Sequence, residues 1–133
     1  MSSDRLFSTL LHEESLFVSR SQQFLSFHAI LIASMSLAGE AWEFRNPVAT
    51  LGLVAAFLWP MVLHKPKRVI YLGFERIRRE DSELADLYSE AGAGFRGKPL
   101  FLMWLLFPLL VGAFWAWVLL APLLSAFWEG TAG

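Results

Sequence analysis

The chain has no cysteine among its 133 residues, which removes disulfides, thiolate metal sites, iron–sulfur clusters and thiol nucleophiles together. Charge is scarce. Charged residues make up 17% of the chain, and eleven basic against twelve acidic side chains leave a formal net charge of −1. No whole-molecule field favours nucleic acid as a partner. Catalytic signatures are missing as well: there is no His-Glu-x-x-His zinc pattern, no Gly-x-Ser-x-Gly elbow and no carboxylate pair within an apolar run, and the adjacent Glu13 and Glu14 diverge on a helix. The expectation is a non-enzymatic protein that needs no cofactor and no metal.

What is abundant is apolar and aromatic. Hydrophobic residues are 56% of the chain and aromatics 15%, above the apolar share usual in soluble domains of this size. This composition predicts an all-α integral membrane protein, read as a single domain over 1–133. Its expected parts are an amphipathic interfacial helix (1–21), a first span (22–39), a second span (47–64), a charged cytoplasmic helix with a glycine-rich loop (65–98), a third span (99–128) and an outer tail (129–133).

The first apolar run, Phe24 to Ala38, reaches spanning length only with its polar flank. The second, Val48 to Leu63, starts after Pro47 and is expected to stop at His64, Lys65 and Pro66. The third, Leu100 to Trp128, has no charged residue over 29 positions, about 43 Å of helix against a hydrocarbon core of roughly 30 Å. A single pass kinked at Pro108 and Pro122 is expected, with a re-entrant turn near Pro108 and Gly112 as the alternative. The polar start and the lack of a small-residue cleavage site speak against a secretory signal, so the N-terminus is expected to be retained.

Orientation follows from the basic residues. Lys65, Lys67, Arg68, Arg76, Arg78, Arg79, Arg96 and Lys98 all lie between the second and third runs, whereas Arg45 is alone between the first two. The positive-inside rule puts the N-terminus and the long loop in the cytoplasm and the C-terminus outside; the expected location is a bacterial inner membrane. Trp104, Trp128 and Trp42 suit interfacial anchoring, and Trp104, Trp115, Trp117 and Trp128 are the aromatics expected to meet a partner.

In the N-terminal segment, Leu6, Phe7, Leu10, Leu11, Phe17 and Val18 share one side. That helix is expected flat on the interface or against the charged loop helix. The latter reads as one helix from Lys67 to Ala91 with an Ile70, Phe74, Ile77, Leu84, Tyr88 and Ala91 seam and i, i+4 pairs Glu75–Arg79, Arg76–Glu80 and Arg79–Glu83. It is expected to pack on the N-terminal helix or to continue the second span. Lys65, Lys67, Arg68, Arg96 and Lys98 are the candidate lipid-headgroup and topology residues.

Two stripes of small residues stand out. Gln22, Ser26, Ala29, Ala33, Ser36 and Glu40 recur at steps of three and four on the first span, and Ala49, Gly52, Ala56 and Pro60 do so on the second. The simplest assignment packs one stripe on the other; a subunit contact and a pore lining in an oligomer are the alternatives. His28 is the one ionisable residue well inside a span. A neutral imidazole bonded to a neighbouring helix is expected, and a haem, quinone or pigment contact is the alternative. The leading expectation for function is an accessory subunit partnered by lipid and by other membrane subunits or its own copies. The runner-up is a homo-oligomeric channel or transport accessory.

Overall fold

The computed structural model describes residues 3–39, 42–91 and 102–131, and over these residues it is helical with no strand. The elements are α1 (Ser3–Ala38), α2 (Trp42–Glu80), α3 (Ser82–Ala91), a π-helical turn (Leu102–Leu106) and α4 (Phe107–Thr131).

Helix α1 runs 36 residues without interruption, because neither glycine nor proline occurs inside it to release a turn. The N-terminal amphipathic segment and the first apolar run are therefore one rod of about 54 Å. The idea of a separate helix lying flat on the interface is corrected. Gly39, with φ +64°, ends the rod in the left-handed conformation that glycine adopts without strain.

Helix α2 runs 39 residues through Pro47, Pro60 and Pro66. The expected stop at His64, Lys65 and Pro66 is thus also corrected, as the second apolar run and the charged segment form one helix. An interior proline costs about 3 kcal/mol in an isolated helix. Here Pro66 is fully buried, with Leu63 and Ile70 buried beside it on the same face, and that packing offsets the lost backbone bond. The charged helix ends earlier than expected, at Glu80. Asp81 then caps α3: its carboxylate accepts a hydrogen bond from the Leu84 N–H at 3.0 Å, an N-cap geometry. Of the three anticipated ion pairs, Arg76–Glu80 forms at 2.9 Å on the surface.

Helices α1 and α2 make a long antiparallel hairpin. Leu10 lies against Gly73, where an added Cβ would stand 2.6 Å from the leucine side chain. Phe24 stacks on Trp59 at 5.4 Å between centroids. Both pairs are equidistant in sequence from the connection, so one register holds along the hairpin. At its far end Leu6, Leu10 and Phe17 share a core with Ile70, Ile77 and Ala85. The helix from the charged loop therefore packs on the N-terminal one and also continues the second apolar run.

Helix α4 lies on α2. The π-helical turn just before Pro108 widens the backbone where the proline ring would collide with the carbonyl four residues back. The helix then continues through Gly112 and Pro122, so no re-entrant turn forms there. Two helical segments, Glu43–Glu80 and Leu102–Thr131, are long and apolar enough to cross a membrane, and only 33% and 17% of their most apolar stretches are buried. Helix α1 is not among them, since Gln22, Gln23, His28 and three serines dilute its apolar run.

Candidate functional site

The most constrained group of side chains lies where the three long helices meet. On α1 the inward face is Ser21, Phe24, His28, Leu31 and Met35, at steps of three and four. His28 is 2% exposed. Its ring stacks on Trp59 of α2 at 5.9 Å and 18°, and its Nδ1 accepts a hydrogen bond from the Trp115 indole N–H at 3.1 Å. An indole N–H only donates, so the imidazole is neutral with its proton on Nε2. His28 Nε2, Ser21 Oγ and Trp59 Nε1 have no hydrogen-bond partner among the described residues.

Gly52 explains how Trp115 comes so close. A Cβ there would collide with the face of the indole ring; the missing side chain is the socket for the tryptophan, which is fully buried. One turn on, Gly112 of α4 rests over Ala56, where an added Cβ would stand 3.6 Å away. At the turn end of the hairpin, Arg45 Nη2 reaches the Val118 carbonyl of α4 at 3.5 Å. Pro122 has no N–H to offer that carbonyl. At the other end the Trp104 indole N–H donates to the Pro60 carbonyl at 3.1 Å, and Lys67 Nζ lies 3.1 Å from the centroid of the same ring. The ring face attracts the cation.

This geometry redistributes the anticipated site residues. The α2 stripe of Ala49, Gly52 and Ala56 is buried, with Gly52 and Ala56 facing α4. The α1 stripe points elsewhere: Gln22, Ser26, Ala29, Ala33 and Ser36 are all exposed. Packing of one small stripe on the other is corrected, because the hairpin instead buries the larger Phe24, His28 and Leu31 and so removes more apolar surface from water or lipid contact. Trp115 is likewise corrected as a partner-facing ring, and Trp104 is half-buried and bonded inside the chain. Trp117 and Trp128 remain exposed, at 64% and 73%.

Lys65 and Arg68 are exposed on the α2 extension beside the half-buried Lys67. Arg96, Lys98, Glu40 and the glycine-rich segment lie outside the described residues, as do the side chains of Trp42 and Tyr88. As a haem ligand His28 is poorly disposed, because Nδ1 is taken by Trp115 and the rest of the ring is buried against Trp59. His64, the histidine near a span that could have been a second ligand, is exposed. Among the described residues no three His, Asp or Glu side chains converge as a metal site would require.

The sequence reading missed the His28–Trp59–Trp115 group. Its signal was present in the heptad-like spacing of Ser21, Phe24, His28, Leu31 and Met35, with Gly52 in the apolar part of the helix opposite. Comparison with family models, with curated proteins and with solved structures gave no match.

Proposed function

We propose that this protein is a three-span, non-enzymatic membrane subunit that docks through the outer face of α1 onto a second membrane helix. One observation carries the reading: the stripe of Gln22, Ser26, Ala29, Ala33 and Ser36 is left uncovered by the other described residues. In lipid, small residues at such spacing let backbones approach and let serine and glutamine bond across an interface.

Bilayer placement rests on the surface. Phe57, Met61, Leu123 and Phe127 are each about two-thirds or more exposed, an apolar surface that water does not tolerate at this extent. The single register of the hairpin sets the apolar part of α1 beside that of α2, so if α2 crosses the bilayer α1 crosses with it. The buried His28–Trp115 bond satisfies one of the two ring nitrogens and so removes part of the polar cost of doing so. The basic residues of α2 beyond His64 argue for the N-terminus and the open end of the hairpin inside the cell, and the hairpin turn and the C-terminus outside.

The test is purification in mild detergent from the native membrane, with native mass and identification of whatever accompanies the protein. A defined complex that dissociates on Ser26→Leu or Ala33→Leu is expected. A monodisperse wild-type monomer without companions, or a complex indifferent to both substitutions, overturns the reading. The outward direction of Gln22, Ser26 and Ser36 also favours a second version, a ring of copies lined by this stripe. That version requires a closed homo-oligomer and liposome flux lost in Ser26→Leu.

A further inference from the structure

We propose that the α2–α4 crevice and the basic turn beyond it form one binding site for an anionic glycerophospholipid, with an acyl chain in the crevice and the phosphate at Lys67 and Arg68. The proposal rests on the bilayer placement above and on no protein partner.

The crevice holds about 350 Å³, and its walls, including Ala56, Pro60, Pro108, Gly112 and Ala116, present almost no polar surface. Its depth has a local cause. Prolines and small residues face each other along its floor, so the helices touch at Gly112 and Ala56, while Leu53, Phe57, Leu105 and Leu109 stand along its sides. Open on one side to the surroundings, such a slot in hydrocarbon admits a flexible methylene chain.

A second hollow, of about 310 Å³, is lined by His64, Lys67, Arg68 and Tyr71. It belongs to the same line of α2: Ala56, Pro60, His64, Lys67 and Tyr71 follow at steps of three and four, which keeps them on one face. The two hollows are also tied by a side chain, since Trp104 bonds the Pro60 carbonyl at the end of the crevice and places its ring under Lys67. That ring holds the ammonium at the mouth of the crevice. Pro60 to Lys67 is about 10 Å of rise, and each headgroup layer of a bilayer is about 5–7 Å deep. A chain lying in the crevice therefore presents its phosphate to Lys67 and Arg68, with the Tyr71 hydroxyl as a further donor. Glu75, one turn beyond Tyr71, is the nearest carboxylate on this face and sets the outer limit of the cationic patch. Lys65 projects more than about 100° around the helix from this line and is the internal control.

The experiment is native mass spectrometry of the full chain in detergent, offered phosphatidylglycerol and phosphatidylcholine of the same chain length in equal amounts. Retention of one phosphatidylglycerol with about tenfold preference is expected. Lys67→Gln/Arg68→Gln together are expected to cut that preference by at least about tenfold, and Lys65→Gln to leave it within about twofold. Ala113→Leu, which fills the crevice wall, is expected to reduce retention of both lipids. Arg68→Gln alone, which keeps the Lys67–Trp104 contact, must show a partial loss and guards against misfolding of the double variant. Equal binding of the two lipids, or an equal effect of Lys65→Gln, shows diffuse surface charge and overturns this site while sparing the membrane reading. Displacement of the lipid by a co-purifying protein helix also overturns it. A chain that stays soluble and folded without detergent overturns both.

Discussion

A single absent side chain decides how the helices meet. At Gly52 the Trp115 ring occupies the place of a Cβ and is bonded to His28, so it has nowhere to retreat. Gly52→Ala is expected to cost about 1–3 kcal/mol by overpacking, read as a lower midpoint in detergent unfolding. Gly73→Ala is the milder case: the nearest atom it meets is a methyl of the fully buried Leu10, and the overpacking is offset by a gain in helix propensity of about 1 kcal/mol. It is expected to be near neutral. The His28–Trp115 bond makes a second pair of cases. His28→Leu strands a buried indole N–H and is expected to cost about 1–3 kcal/mol, whereas adding Trp115→Phe removes both partners and is expected to recover part of that loss. Equal midpoints for the single and double variants would show that the bond carries no energy.

At the scale of elements, prolines and caps set where the chain bends and where it stops. Pro66 lies inside α2 because its surroundings bury it, whereas Asp81 interrupts the helix and restarts it with its own carboxylate. Asp81→Ala is expected to cost about 1 kcal/mol, confined to α3. Hydrogen exchange should accelerate over residues 82–91 and stay unchanged in the hairpin. Pro122 leaves the Val118 carbonyl without an intrahelical donor, and Arg45 reaches it from α2. If that is the reason for the contact, Arg45→Met is expected to cost less in a Pro122→Ala background, where the helix supplies its own N–H. A double-mutant cycle should give a coupling of about 0.5–1 kcal/mol, and simple additivity would break the link.

Among the described residues, α1 and α2 form a hairpin of about 54 Å with α4 laid against it, and a hydrocarbon core is only roughly 30 Å deep. In the proposed bilayer placement, some of the hairpin stands clear of lipid. The core made by Leu6, Leu10, Ile70 and Ile77 holds that projecting part together. The cysteine-free background makes this directly measurable. Leu58 and Leu72 on α2 are about equally exposed, at 48% and 54%, but only Leu72 lies beyond the basic turn. In membranes, Leu72→Cys is expected to react with a water-soluble maleimide and Leu58→Cys to stay protected. Equal labelling would refute the bilayer placement. Converting Lys65, Lys67 and Arg68 to Gln is expected to raise the fraction of inverted chains in terminal reporter fusions.

Helix class, the apolar stretches and the clustering of basic residues after His64 were legible in the sequence, because each depends on local composition and on the 3.6-residue period alone. The pairing of faces was not. Two stripes on α1 share the same spacing, one small and one bulky, and period alone does not rank them. The choice went to the bulky face because it buries more side-chain surface and gives His28 a donor on a helix 87 residues away. The continuity of α2 through Pro66 has the same origin, a local penalty outweighed by packing against α1. The exposure of the small stripe and the apolar crevice between α2 and α4 follow from that choice and are properties of the tertiary structure.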